Sequence, residues 1–208
     1  MTADTPANDD TRNGIGILNE HSLHAEIIAY LAQPGDILES KLEGYFIDIQ
    51  RGSQVIEVQT SSLGKLTRKV LALAESHQVE VVYPIHKIKY IHRVDETGKT
   101  ISRRRSPKQG KLAHAFEELV YAPQLIAHPN VTLNLMLIEG EEFWQDDGQG
   151  SWRRKHWSIV DRGLLKIHSQ RRCRNPQDLL DLLPPSLPSP FTNRQLAEHL
   201  KIPVSYTH

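Results

Sequence analysis

The sequence contains a single cysteine, Cys173, among 208 residues. One thiol excludes an intrachain disulfide and a zinc site built from several thiolates. No apolar run approaches the roughly 20 residues that a membrane-spanning helix needs. The N-terminus, MTADTPANDD, lacks the basic and apolar regions of a signal peptide. These absences predict a cytoplasmic protein that does not interact with membranes.

The chain also has no net charge, because 25 Lys and Arg residues balance 25 Asp and Glu residues. The two signs are unevenly distributed, so neutrality overall hides local patches. Three common kinds of active site are missing: a Ser-His-Asp arrangement, a cysteine nucleophile and a glycine-rich phosphate loop. The eleven histidines contain no H-E-x-x-H pattern. With 38% hydrophobic and 24% charged residues, the composition is that of an ordinary globular protein.

The stretch YFIDIQRGSQVIEVQ, residues 45–59, predicts a β-hairpin. Residues 45–50 and 55–59 are strand-like, and Arg-Gly-Ser-Gln between them favours a turn. If those four residues form the loop, Gln50 faces Val55 in the antiparallel ladder. Counting back along the ladder then places Asp48 directly opposite Glu57.

This register predicts one polar and one apolar side of the hairpin, because side chains two positions apart share a side. Asp48, Glu57 and Gln59 lie on the polar side. We expect the other side to face a core, and it carries Tyr45, Ile47, Ile49, Ile56 and Val58.

Two carboxylates face each other in this arrangement. Cross-strand partners have Cβ atoms about 5 Å apart, and like charges at that distance are destabilising unless something offsets them. A divalent cation bound between Asp48 and Glu57 would offset the repulsion. An Asp and a Glu on the solvent face of a hairpin are also common, so the flanking sequence has to support a site.

Regular elements flank the hairpin on both sides. The pattern predicts a helix from Ser22, with Glu26 beside its apolar stripe and projecting toward the hairpin. A strand at residues 36–44 leads into the hairpin. An amphipathic helix at 63–76 and a buried strand at 79–85 follow it, which suggests a β-α-β crossover.

This order of helix, three strands, helix and strand resembles the PD-(D/E)xK nuclease superfamily, which has a restriction-endonuclease-like or Holliday-junction-resolvase-like α/β fold. The matching residues are Glu26 in the first helix, Asp48 on the second strand and the Glu57-Val58-Gln59 run on the third. Gln59 stands where the usual lysine would be. Some members carry Gln or Glu there, and in others the following helix supplies the lysine, a role open here to Lys65 or Lys69.

The resemblance implies a Mg²⁺-dependent deoxyribonuclease, with Mn²⁺ as an alternative ion. Magnesium prefers carboxylate oxygens and can activate water for phosphodiester hydrolysis. Asp48, Glu57 and Glu26 are the expected metal ligands. Gln59 would orient the water or a phosphate oxygen, and a nearby lysine would offset developing charge. DNA is the expected partner, and homodimers are frequent in this superfamily.

A basic region follows the predicted core. Strands near residues 88–94 and 99–104 form a hairpin, and a cluster of basic residues then follows with no acidic residue among them. Such a patch suits phosphate backbones, although a solvated loop has the same composition. The expected nucleic-acid-binding residues are Arg103, Arg104, Arg105, Lys108 and Lys111.

The remaining sequence predicts a helix at residues 114–127 with Phe116, Leu119 and Val120 inward, a strand at 131–139 and a further hairpin within 141–169. Asn175 is expected to cap a short helix that runs to Leu183, and Thr192 is expected to cap a later one. We expect the three tryptophans to pack in the protein or to stack on bases. The stretch FTNRQLAEHLKIP, residues 191–203, is typical of the first half of a winged-helix-like helix-turn-helix. Its recognition helix would begin where the sequence ends, at His208.

Three regions are therefore predicted: a disordered tail at 1–19, a nuclease-like domain with a basic insertion at 20–170, and a partial helix-turn-helix at 171–208. The main functional prediction is metal-dependent DNA cleavage. Two alternatives stay open. One is a non-catalytic DNA-binding or regulatory protein that keeps the fold, and the other is an interaction module whose carboxylates are surface groups.

Overall fold

The computed structural model of the chain describes residues 22–201. The predicted tail at 1–19 and the last residues of the predicted partial helix-turn-helix, 202–208, lie outside these residues. No helix within residues 22–201 is both long and apolar enough to cross a membrane. The helices are α1 (Ser22–Leu31), α2 (Thr67–Ala74), α3 (Ala115–Leu119), α4 (Gln124–Ala127), α5 (Pro176–Leu180) and α6 (Asn193–Leu200).

A seven-stranded mixed sheet forms the centre of the fold, in the order β1-β2-β3-β4-β6-β7, with β5 paired to β4. Short 3₁₀ helices occur at Leu63–Lys65, Leu112–His114 and Trp152–Arg154. The strands are β1 (Ile37–Leu42), β2 (Tyr45–Arg51), β3 (Gln54–Val58), β4 (Gln78–Val94), β5 (Thr100–Arg105), β6 (Val131–Gln145) and β7 (Ser158–Cys173). The fold is thus α/β, as predicted.

The sheet contains both antiparallel and parallel strand pairs. Strands β1, β2 and β3 form an antiparallel meander. β4 is parallel to both β3 and β6, and α2 makes the crossover between β3 and β4 that parallel strands need. β5 and β7 are antiparallel to their neighbours β4 and β6. The predicted order of helix, three strands, helix and strand is confirmed for residues 22–94.

Helices cover both faces of the sheet. On the face covered by α2, called the α2 face, Val55 and Val81 pack with Val70 and Leu73 of the helix. On the opposite face, the α1 face, the buried residues are Leu23, Ile27, Ile28, Ile49, Ile56, Val58, Val82, Met136 and Ile138.

The expectation of one apolar and one polar side of the hairpin is therefore wrong. Val55 and Ile56 are adjacent, point to opposite sides, and are 0% and 2% exposed. Ile47 packs in the α2-face cluster and not with Ile49. The physical reason is that β3 lies inside the sheet beside a parallel strand, and such strands are buried on both faces.

Strand β4 is one continuous strand of 17 residues. It joins the predicted strands 79–85 and 88–94, and its pairing with β6 shifts between His86 and Ile88. Beyond that shift β4 continues with β5, β6 and β7, and we call residues 88–105 and 139–164 the arm. Seven residues of β4 give the arm a length of roughly 23 Å. The predicted basic hairpin is present as β4 and β5.

The prediction of one continuous helix at 114–127 is wrong. A 3₁₀ turn, α3 and α4 occupy this segment instead, with Pro123 directly before α4. Proline has no N–H to continue a helix, so α3 ends upstream of it. Val120, expected to point inward, is 68% exposed.

The C-terminal helices begin where the sequence predicts. The Asn175 side chain accepts from the N–H of Asp178 at the start of α5. Thr192 and Gln195 form a capping box at α6. Leu179 of α5 packs in the α2-face core.

Candidate active site

The β2–β3 hairpin opens at the position of the two predicted carboxylates. Gln50 pairs with Val55 as predicted, and the ladder ends one pair later at Ile49 and Ile56. Asp48 lies directly beyond this last pair. Its Oδ2 accepts the backbone N–H of Val58 at 2.7 Å, so the carboxylate reaches across the opening to β3. We call this end of the hairpin the fork.

Glu57 lies at the fork on the α2 face. It is 2% exposed, and its Oε2 accepts a hydrogen bond of 2.6 Å from Nζ of Lys69 on α2. Its second oxygen, Oε1, is buried without a hydrogen-bond partner among residues 22–201. Burial, reinforced by the charge of Asp48, raises the pKa of Glu57 to about 7. Asp48 and the Glu57–Lys69 pair therefore lie at the same end of the hairpin, but Asp48 and Glu57 are not the directly opposed cross-strand pair that the sequence predicted.

His24 of α1 is a member of this cluster that the sequence did not predict. Its Nε2 lies 3.2 Å from Oδ2 of Asp48, and this hydrogen bond raises the pKa of His24. Glu57 adds to the same effect through its charge. The only sequence signal is that His24 flanks the apolar stripe of α1, a property that Glu26 shares.

Glu26 does not reach the fork. His24 and Glu26 are two residues apart, and about 200° of helical rotation separates their side chains. The Glu26 carboxylate accepts the backbone N–H of Leu164 on β7, and β3, β4 and β6 lie between β7 and β2. The expectation that Glu26 projects toward the hairpin is wrong.

Gln59 and Lys65 take no part in the cluster. Gln59 lies just past the end of β3, where its backbone N–H donates to the carbonyl of Val82. Its side-chain Nε2 donates to the carbonyl of Ser62 at 2.9 Å. Lys65 is exposed in the following 3₁₀ helix. Of the two lysines left open by the sequence, Lys69 is the one at the carboxylates.

Within residues 22–201, no group of three or more His, Cys, Asp or Glu side chains is arranged to hold a metal ion. The fork instead offers two carboxylates, a histidine that contacts one and a lysine that contacts the other. In such a set the two carboxylates are the groups available to bind a cation. Magnesium is commonly bound by one or two protein carboxylates.

The predicted basic residues are all exposed, but they do not form one patch. Arg103 and Arg105 point to one side of β5 and Arg104 points to the other, because side chains alternate along a strand. Arg103 lies over the ring of Tyr90 at 3.8 Å. Lys108 and Lys111 follow in the loop after β5.

The loop after β5 returns along the edge of β4 toward the fork. Ser106 N–H donates to the carbonyl of Lys89, and Gly110 N–H donates to the carbonyl of His86. A Cβ at Gly110 would lie 2.6 Å from that carbonyl oxygen, so glycine permits this approach. Val82, which holds the end of β3, is four residues away along β4, or roughly 13 Å. The basic segment therefore ends near Asp48 and Glu57.

The family described as a domain of unknown function, DUF8091, matches residues 21–174. The chain belongs to this family. The DUF8091 region contains α1, all seven strands and every residue of the fork, and it ends just before α5.

A relative of the DUF8091 domain occurs in Treponema pallidum (strain Nichols). It is an uncharacterized protein that is 34% identical over 185 residues, which is 88% of this chain and 74% of that protein. No solved structure matches the chain.

Proposed function

We propose that the DUF8091 domain of this protein is a metal-dependent deoxyribonuclease with its active site at the fork. The observation that carries the proposal is the convergence of Asp48, Glu57 and Lys69 where β2 and β3 separate. These are the residue types of a PD-(D/E)xK site, with the lysine supplied by the following helix. The α/β element order and the parallel β3–β4 pair support a restriction-endonuclease-like core.

The chemistry of the fork fits a divalent cation. Glu57 is buried beside Asp48, and its Oε1 has no partner in the described part of the chain. A buried carboxylate close to a second one favours protonation unless positive charge is supplied. Mg²⁺, or Mn²⁺, held by Asp48 and Glu57 would supply that charge and, when bound, would activate water and neutralise a phosphate.

The side chains around the carboxylates have distinct roles in this proposal. The Val58 N–H and His24 fix the orientation of Asp48. Lys69 places its ammonium at the fork, where it stabilises charge that develops on a phosphate oxygen. Glu26 and Gln59 form hydrogen bonds outside the fork, so in this proposal they contribute only to the stability of the fold.

DNA is the proposed substrate because of the exposed basic segment that ends near the fork. Arg103, Arg105, Lys108 and Lys111 would contact phosphates and give affinity that depends on salt but little on sequence. A homodimer stays a prediction from the resemblance.

A second candidate function is DNA binding without cleavage. It is favoured because the carboxylates of the fork already have partners within the protein. Nζ of Lys69 lies 2.6 Å from Oε2 of Glu57, and His24 and the Val58 N–H both contact Oδ2 of Asp48. Such a cluster can be a structural ion-pair network that a regulatory protein retains after losing catalysis.

Incubation with supercoiled plasmid and Mg²⁺ tests the proposal. We expect nicking that EDTA abolishes and that Asp48→Asn lowers by at least roughly two orders of magnitude, since the metal's effect is several kcal/mol. Glu26→Gln is the matched control and should keep the wild-type rate.

Three other outcomes would contradict the proposal of a nuclease with its active site at the fork. DNA binding without cleavage would support the regulatory protein, and neither binding nor cleavage would support an interaction module. Cleavage that survives Asp48→Asn would place the active site elsewhere.

A further inference from the structure

The connection between β6 and β7 is a closed loop at the end of the arm, and we call residues 146–157 the tip loop. Gly150 N–H donates to the carbonyl of His156 at 2.8 Å, and His156 N–H donates to the carbonyl of Ser151 at 3.1 Å. A Cβ at Gly150 would lie 1.9 Å from the carbonyl oxygen of Trp157. Only glycine fits there, so the closed form of the tip loop requires glycine at position 150.

Two successive residues of the tip loop have left-handed backbone conformations. Lys155 has φ of 53° and His156 has φ of 65°. Each such conformation costs a non-glycine residue on the order of 1 kcal/mol or more, and strained residues of this kind cluster at ligand-binding sites. Lys155 and His156 are both exposed.

The tip loop presents an aromatic ring together with positive charge. Trp152 is 75% exposed, and the guanidinium of Arg153 lies 5.6 Å from its ring centre. No acidic residue occurs from Gly148 to Val160. Asp147, at the base of the loop, already accepts from the Gln149 N–H and the Ser158 hydroxyl. Asp146 also lies at the base of the loop. Among the described residues, neither carboxylate forms a salt bridge with Arg153, Arg154 or Lys155.

Arginine–aromatic pairs continue from the tip loop along the arm. Arg154 lies 6.0 Å from the ring centre of Trp144, and Arg93 lies 4.8 Å from that of Trp157. Arg103, over the ring of Tyr90 at 3.8 Å, is the first residue of the basic segment that returns toward the fork. Arg103 pairs with His92, the neighbour of Arg93 along β4, so Arg93 and Arg103 lie on opposite faces of the sheet. Basic side chains therefore flank the arm on both of its faces.

We propose that the tip loop binds an unpaired nucleotide of a nucleic acid. The base stacks on the exposed ring of Trp152, and Arg153 and Lys155 bind the adjoining phosphates. Stacking on an exposed ring needs a base outside a duplex, so the ligand is a single strand or the single-stranded part of a larger DNA. This proposal rests on the proposed function only for the choice of DNA.

The same features argue against a lipid surface as the ligand. Membrane-surface binding draws on a broad apolar face, whereas Trp152 is the one large apolar side chain among the exposed residues of the tip loop. The arginines stacked on rings along the arm extend the surface in a way that suits a polyanion with aromatic bases.

The test compares two fluorescent oligonucleotides by anisotropy in EDTA, so that no cleavage occurs. One is a thymidine strand of about 20 nucleotides, and the other has the same phosphates with abasic sugars. Trp152→Ala should weaken binding of the thymidine strand about tenfold and leave the abasic strand unchanged, whereas Trp152→Phe should restore binding. The doubly substituted variant Arg153→Gln, Lys155→Gln should weaken both and reduce the salt dependence.

Phe46→Ala is the matched control, because Phe46 is 74% exposed on β2, away from the arm. It should bind both strands like the wild type. The proposal is overturned if the wild type does not bind the thymidine strand, or if Trp152→Ala affects both strands equally or neither.

Loss of binding to vesicles of phosphatidylserine and phosphatidylcholine on Trp152→Ala, with strand binding unchanged, would overturn the proposal in favour of a membrane. Plasmid cleavage is measured separately, so the tip-loop proposal and the nuclease proposal can fail independently.

Discussion

Lys69 Nζ lies 2.6 Å from Oε2 of Glu57, a residue that is only 2% exposed. Breaking a buried pair leaves a charge without a partner, so we expect Lys69→Met to lower the free energy of unfolding by about 2–3 kcal/mol at pH 8. Urea denaturation measures this loss. The double variant Glu57→Gln, Lys69→Met should regain most of it, and an equal loss in the single and double variants would contradict the pairing.

The pH dependence of stability should reveal the raised pKa of Glu57. Its pKa rises from 4.5 to about 7 on folding. The protonated side chain therefore stabilises the fold fully below pH 4.5, and this contribution is lost as the pH rises through 7. His86 has the opposite effect over an overlapping range, because burial lowers its pKa to about 4.

The contribution of Glu57 is therefore measured as a difference between two proteins. The free energy of unfolding of the wild type minus that of Glu57→Gln should fall by about 3 kcal/mol between pH 4 and pH 8. His86 is present in both proteins, so its titration cancels. A difference that does not change with pH would show that the pKa of Glu57 is not raised.

His24 and Glu26 of α1 should have separable effects. His24→Ala removes the contact with Asp48 and should slow the proposed cleavage, with little change in stability because His24 is half-buried. Glu26→Ala removes a carboxylate from the Leu164 N–H and should cost about 1–2 kcal/mol of stability. Plasmid nicking and urea denaturation of both variants test this. The reverse pattern would restore Glu26 to the site.

The closure of the tip loop should depend on Gly150 and not on its neighbour Gln149. A Cβ at Gly150 would meet the carbonyl of Trp157, whereas Gln149 is exposed and bonds Asp147 through its backbone N–H, which alanine keeps. We expect Gly150→Ala to open the loop and to increase trypsin cleavage after Arg153, Arg154 and Lys155. Gln149→Ala should be cut at the wild-type rate, and equal cleavage of the two variants would contradict this account of the closure.

The local geometry of the hairpin was predictable because it depends on neighbouring residues. The turn-forming residues between the strands fix the pairing of Gln50 with Val55. The predicted pairing of Asp48 with Glu57 is wrong, because the ladder ends at Ile49 and Ile56 and Asp48 contacts Val58 instead. The caps at Asn175 and Thr192 were predictable for the same reason. In each case the side chains that determine the structure lie within a few positions of one another.

The contacts of α1 were not predictable from local pattern. His24 and Glu26 both flank the apolar stripe, and only the position of α1 across the sheet decides which one meets Asp48. The burial of both faces of β3 likewise depends on β4, which is distant in sequence. The two strands predicted at 79–85 and 88–94 are likewise one strand, and the position between them is a shift in its pairing with β6.

The continuity of β4 makes the arm a spacer of fixed length. A nucleotide held by the tip loop would stay at a constant separation from Asp48, because β4 runs as one strand of 17 residues from the fork into the arm. The number of residues in β4 would then decide how far from the captured base the scissile phosphate lies, whatever the surrounding DNA sequence. Inserting two residues into each strand of the arm would move that position by about 7 Å, or about two base steps.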